Sequence, residues 1–253
     1  MSQTTTLTEL RRRVEVVSAH RYAPGTTSER FRELLVRGIE ALDAASYGIA
    51  AAFVVCDNGV ELTFVGHNTI AGGDPAGHAE MNAIGMAAKL LAAPKAERSN
   101  SLRRLQAGGD VVVRECSPGL RETVLYSTLE PCPMCTVATI NAGIDRVIYA
   151  HEDPVAGALA EPRLRRLAPI WQDLARTIGL HVVACQTVDD RDTESYLPAD
   201  LWTLLDEIFA ASRQQLDAQL AGGGFFDPYG LVALCHDASS HRASRPHPRR
   251  ASS

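Results

Sequence analysis

Two short runs hold the side chains whose types and spacing could do chemistry together. Gly77-His78-Ala79-Glu80 offers an imidazole nitrogen and, two residues on, a carboxylate. Pro131-Cys132-Pro133-Met134-Cys135 offers two thiols three residues apart. One imidazole and two thiolates suit Zn²⁺, and three protein ligands leave a fourth position for water. Two thiolates and a neutral imidazole also cancel the ion's charge. Its water is then less acidic than on an all-histidine centre, where the pKa is about 7. A carboxylate must therefore take the water's proton and hand it to a leaving group. Glu80 stands beside a ligand and is the acid placed to do so. Glu130, next to Pro131 at a strand end, reads as a structural hydrogen-bonding acid.

These side chains converge only if the surrounding elements bring the two runs together. Residues 132–142 read as a helix after a strand over 123–128, so Cys132 and Cys135 share one side of a first turn. A helix N-terminus favours the thiolate form. His78 closes a Gly-rich loop over 66–77. Met81, Ile84, Ala88 and Leu91 behind it form a helical stripe stopped before Pro94. Two helix starts thus face one metal position.

Upstream, residues 47–56 and 60–65 read as strands joined by Asp57-Asn58-Gly59, a hairpin turn whose Asn and Gly tolerate positive φ. Before them, Thr27 or Ser28 offers an N-cap to a helix carrying Phe31, Leu34, Leu35, Ile39 and Leu42. Residues 7–22 fit a helix, although Val14-Glu15-Val16-Val17 fits a strand equally well. Downstream come a strand over 146–150, a helix with Trp171, Leu174, Ala175 and Ile178 that ends at Gly179, and a strand over 180–185. A helix follows over 197–220, with Leu201, Leu204, Leu205, Ile208 and Phe209 expected inside. The order β-β-α-β-α-β-α-β implies a mixed sheet flanked by helices, an α/β fold.

The boundaries that follow are an N-terminal extension over 1–25, a catalytic domain carrying the candidate zinc site over 26–190, a helix over 191–222 and a largely disordered tail over 223–253. Residues 94–121 read as an insertion, with a short hairpin as one form. The tail ends with Arg242, Arg245, Arg249 and Arg250 among Ser, Ala and Pro, a cluster read as solvated, with an RNA contact as the alternative.

Composition narrows the classes. A chain of 253 residues, 45% hydrophobic, can bury one substantial core. No apolar run reaches the roughly 18 residues that span a bilayer, so no membrane is expected. A net charge of −5 argues against a surface that coats nucleic acid broadly. Six cysteines without a signal-peptide pattern at Met1-Ser2-Gln3 are expected to be reduced thiols, in a cytoplasmic protein. A structural zinc site would need a fourth ligand. His67, Cys116, His151 and Cys185 are available but form no second pair of recognised spacing. A redox Cys-Pro-Met-Cys pair would leave His78-Ala79-Glu80 unexplained.

The run Asp74-Pro75-Ala76-Gly77-His78-Ala79-Glu80-Met81-Asn82-Ala83-Ile84, followed by Leu125-Tyr126-Ser127-Thr128-Leu129-Glu130-Pro131-Cys132-Pro133-Met134-Cys135, resembles the cytidine deaminase-like superfamily. Within it the likeness is to the branch of guanine deaminases, other nucleoside or nucleobase deaminases and bacterial tRNA adenosine deaminases. Residues 144–149 and 153–157 continue it. The resemblance covers about residues 30–185, outside the N-terminal segment, 94–121 and the C-terminal extension.

It implies a three-layer α/β/α fold with a central mixed sheet and hydrolytic deamination of an amino-bearing ring carbon. It implies His78, Cys132 and Cys135 as ligands of one Zn²⁺ per subunit and Glu80 as the catalytic proton shuttle. Asn68 and Ala79 become substrate-binding residues, an Asn that simply ends a strand being the plainer reading of Asn68. A homodimer is implied by analogy. The expected substrate is a small base or nucleoside. Pro133 is similar to the guanine and nucleoside deaminase pattern, whereas Met81-Asn82-Ala83-Ile84 is similar to deoxycytidylate deaminases. The alternatives are a tRNA adenosine deaminase, a deoxycytidylate or cytosine deaminase, and a non-enzymatic zinc scaffold. Phe225, Phe226 and Tyr229 read as packing residues, with capping of a stacked base as the other reading.

Overall fold

The computed structural model describes residues 6–187 and 196–222. Two helices open the chain, α1 (Leu7–Ser18) and α2 (Thr27–Asp43). The strand alternative over 14–17 is not adopted: Leu10, Val14 and Val17 form one buried helical stripe. The cap of α2 is Thr26, not Thr27 or Ser28, because the Thr26 side chain accepts from the Glu29 N–H three residues on.

The hairpin β1 (Ala50–Asp57) and β2 (Val60–His67) follows, turning at Asn58 and Gly59 with φ of 51° and 83°. Then come α3 (Ala79–Ala92), α4 (Lys95–Ala107), β3 (Val111–Glu115), β4 (Glu122–Leu129), α5 (Pro133–Asn141), β5 (Arg146–His151), α6 (Pro169–Ile178) and β6 (His181–Ala184). Two short paired strands, β7 (Gln186–Thr187) and β8 (Tyr196–Leu197), precede α7 (Ala199–Gly222).

The sheet is mixed, in the order β3-β2-β1-β4-β5-β6. β1 runs antiparallel to both β2 and β4, while β4, β5 and β6 are parallel. On one face Ala50, Ala52, Val54 and Cys56 of β1 pack with α1, α2 and α7. On the other, Ala51 and Phe53 pack with Ala79, Ala83 and Ala87 of α3. This is the expected three-layer arrangement.

Residues 94–121, read as an insertion, hold regular structure, with the strand-like Val111-Val112-Val113 at the start of β3. They form α4 and the edge strand β3, which pairs antiparallel with β2. No residue of α4 is fully buried, and its apolar contact with the core is limited to the partly buried Leu102 and Leu105, too short a stripe from which to read a helix. A buried ion network ties this edge to the core. Arg30, 2% exposed, donates to Glu61 at 2.6 Å and Thr63 at 3.2 Å, and Arg114 of β3 reaches Glu29 at 3.2 Å.

One close approach sets where α3 begins. Gly66 of β2 lies under α3, and a Cβ there would sit 2.5 Å from the Ala79 carbonyl oxygen and 2.7 Å from the Ala83 nitrogen. Only glycine permits that spacing, and it holds the start of α3 against the sheet. Gly66→Ala should destabilise the protein by about 1–3 kcal/mol through overpacking, seen as a lowered urea midpoint. An unchanged midpoint would mean that β2 and α3 are not rigidly apposed.

Candidate metal centre and active-site cleft

His78 and Cys132 each occupy the extended residue that precedes a helix, with φ, ψ of −73°, 150° and −68°, 172°. Pro133, first in α5, has no N–H to leave unpaired. Their side chains therefore project beyond the starts of α3 and α5, where helix dipoles and free N–H groups favour negative charge. The elements deliver Cys135 one turn further along α5.

The His78 Nδ1 lies 3.6 Å from the Cys132 sulfur and 3.5 Å from the Cys135 sulfur, and the sulfurs are 3.5 Å apart. A tetrahedral zinc with metal–sulfur bonds of about 2.3 Å and metal–nitrogen bonds of about 2.0–2.1 Å gives donor separations of roughly 3.8 and 3.6 Å. The observed triangle is close to one face of that tetrahedron. It is not a disulfide, whose sulfurs would be about 2.05 Å apart.

Proton sharing with the Cys135 thiol, aided by His78, pulls the Cys132 thiol down to about 4, while the same bond and burial push Cys135 up. Two sulfurs this close, Cys132 half-buried and Cys135 buried, can both be thiolates only with a cation between them. The donor set fits zinc. Among the described residues these three form the grouping that could hold a metal, and His67, Cys116, His151 and Cys185 do not join it. His151 instead meets the Trp202 carbonyl at 3.2 Å.

Glu80 lies in the first turn of α3, buried, with Oε2 3.4 Å from the Cys135 sulfur. Its Oε1 accepts from the Ser127 hydroxyl at 3.1 Å. Burial is the main cause raising its carboxyl above the ordinary range, which strengthens it as a base. Ser127 was not singled out in the sequence. β4 also holds Glu122, Thr123 and Thr128, so nothing local in the sequence set the fully buried Ser127 apart.

Glu130 is buried and serves structure, as its place at the strand end suggested. It accepts from the backbone N–H groups of Asp153, Leu159 and Ala160 at 3.2, 3.0 and 2.8 Å, and from Arg163 Nε at 3.1 Å. One carboxylate thus folds the 153–163 segment against the end of β4. Asp153 in turn accepts from Val155 and Ala156 N–H groups at 3.0 and 2.9 Å.

Above the donors opens a cavity of about 360 Å³, at the carboxyl end of β4, near the low end for small-molecule sites. His78, Glu80 and Cys132 lie at its wall with Tyr47, Ile49, Asn68, Leu129 and Val155. Asn68 is buried and its Oδ1 accepts from Ser46 Oγ at 2.6 Å and the Ile70 N–H at 3.1 Å. Among the described residues its Nδ2 has no protein partner. Ala79 is fully buried in the core and its methyl does not line the cavity. What it can offer is its N–H, in a first turn where such groups lack intrahelical partners.

Phe209, expected in the core, is half-buried and lines the cavity instead, together with Arg213. Helical spacing alone does not separate a core face from a pocket wall. Phe225, Phe226, Tyr229 and the arginines of 241–253 lie outside the described residues.

Residues 28–151 match the family described as the cytidine and deoxycytidylate deaminase zinc-binding region, and residues 115–191 match the MafB19-like deaminases. A tRNA(Ile)-lysidine synthase of Deinococcus radiodurans is 46% identical over 43 residues, which cover 17% of this chain and 7% of that protein. The chain thus spans only a small part of the curated relatives it matches. Among solved structures, a tRNA:A34 deaminase studied for A-to-I editing is 25% identical, covering 61% of this chain and 95% of its own, with a TM-score of 0.38. Guanine deaminase of Nitrosomonas europaea is 18% identical, covering 80% and 91%, with a TM-score of 0.43. No helix among the described residues is long and apolar enough to cross a membrane.

Competition with a chromophoric chelator should show tight zinc binding to the full chain. Cys135→Ser should weaken it at least about ten-fold and Cys116→Ser should not. Tight zinc retained by Cys135→Ser would remove that residue from the site.

Proposed function

Since residues 28–151 belong to the cytidine and deoxycytidylate deaminase zinc-binding family, we propose that the chain hydrolytically deaminates an amino-substituted nucleobase, nucleoside or related heterocycle and releases ammonia. The observation that carries this reading is a buried carboxylate, Glu80, beside a His–Cys–Cys donor triangle at the wall of a small cavity. His78, Cys132 and Cys135 would hold one Zn²⁺ per subunit, which supplies the Lewis acidity that makes water nucleophilic at neutral pH.

Glu80 handles the protons. It accepts one from the attacking water and delivers it to the ring nitrogen next to the amino-bearing carbon. It then carries the hydroxyl proton to the departing amine. The new C–O bond becomes a carbonyl, the C–N bond breaks and NH₃ leaves. Ser127 orients Glu80 through its hydroxyl. The Nδ2 of Asn68 and the N–H of Ala79 are the donors assigned to hold the ring. Tyr47 and Phe209 give it aromatic walls, which suit a planar heterocycle.

A cavity of about 360 Å³ suits a single heterocycle. The tRNA adenosine reading drew on the arginines of 241–253, outside the described residues. Free thiols at Cys56, Cys116, Cys132, Cys135 and Cys185 suit a reducing, cytoplasmic setting. A homodimer is part of the same reading.

An ammonia-release screen of the zinc-loaded chain over guanine, adenosine, cytosine, cytidine and deoxycytidylate tests it, and release from none would sink it. With an active substrate in hand, Glu80→Gln should lose about 10²–10⁴-fold in turnover while holding its zinc. Near-normal turnover would remove Glu80 from the chemistry.

A further inference from the structure

Helix α7 lies beyond the 28–151 family region, yet one face of it closes the cavity. Its buried side, Leu201, Leu204, Leu205 and Ile208, anchors it in the core shared with α1 and α2. Phe209 and Arg213, four residues apart and so on one side of the helix, are what it adds to the cavity wall.

Among the described residues Arg213 is the one Lys or Arg lining that cavity, and it is exposed. Among the described residues it has no hydrogen-bond or ion-pair partner. The acids around it are committed elsewhere. Glu80 takes the Ser127 hydroxyl, Glu130 takes Arg163 and three backbone N–H groups, and Asp153 takes the N–H groups of Val155 and Ala156. Among the described residues the guanidinium therefore stands at the mouth of the cavity with its donors unengaged.

We propose that Arg213 is a specificity-determining residue that binds an oxyanion carried by the substrate beyond its ring. This rests on the deaminase reading, under which that oxyanion is the phosphate of a nucleoside monophosphate. The ring would lie on Phe209 and Tyr47 above Glu80, with the phosphate outward at Arg213. A guanidinium offers paired N–H donors that match phosphate oxygens. At the exposed rim water and salt screen the contact, so the preference is moderate and falls as ionic strength rises.

The test measures calorimetric binding to the zinc-loaded full chain carrying Glu80→Gln, so that nothing turns over. The probes are guanosine, adenosine and deoxycytidine, each beside its 5′-monophosphate. At least one monophosphate should bind about ten-fold tighter than its nucleoside. Adding Arg213→Ala should abolish that advantage and Arg213→Lys should restore part of it. Equal affinity within every pair, or an advantage that survives Arg213→Ala, would overturn the proposal. So would an effect of Arg213→Ala confined to a tRNA anticodon stem-loop, with no preference among mononucleotides. Ammonia release by the chain with native Glu80 separates the two readings: release without a phosphate preference overturns the role of Arg213 alone. A phosphate preference without release from any probe leaves the anion site standing and sinks the deaminase.

Discussion

Three donor atoms from two helix starts, all within 3.6 Å of one another, are the constraint on which the rest depends. Two sulfurs at contact distance, one half-buried and one buried, repel when both are thiolates, so the doubly deprotonated pair needs a cation. Holding it requires α3 and α5 to begin at fixed places over the sheet. Gly66 lets α3 lie close on β2, and α5 starts from the carboxyl end of β4 before the chain returns in the parallel β5. The core on both faces of β1 is what makes those starts rigid.

The inner part of this architecture was legible because each piece had a local chemical signature. Asn58-Gly59 marked the hairpin turn, and the stripe from Met81 to Leu91 marked α3. His-x-Glu and Cys-x-x-Cys marked the two helix starts. What escaped had no local signature. Helix α4 is mostly polar, and Leu102 and Leu105, partly buried against the core, are too short a stripe to mark it. Thr26 capped α2 because of where the chain enters the helix, which neighbouring Thr27 and Ser28 masked. Phe209 showed the right spacing for the core, but spacing does not tell a core from a cavity wall. Ser127 needed the fold to bring it to Glu80, 47 residues away in sequence.

A division of labour follows. The stretch that the family match covers holds the metal donors, the proton-carrying acid and the floor of the cavity. Segments near or beyond its edge shape the opening. Glu130 folds the 153–163 segment around itself, presenting Asp153 and Val155 to the cavity. α7 closes another side with Phe209 and Arg213. Tyr47, Ile49 and Asn68 line the cavity from within the matched stretch, and Phe209 and Arg213 line it from beyond.

The central claim is that this centre is three-ligand and open rather than four-ligand and closed. Zinc K-edge X-ray absorption on the zinc-loaded full chain tests it directly. The account predicts two sulfurs at about 2.3 Å with one imidazole nitrogen and one non-protein oxygen at about 2.0–2.1 Å. A third sulfur or a second imidazole in the shell would contradict it, because the position that water needs would then be filled by the protein.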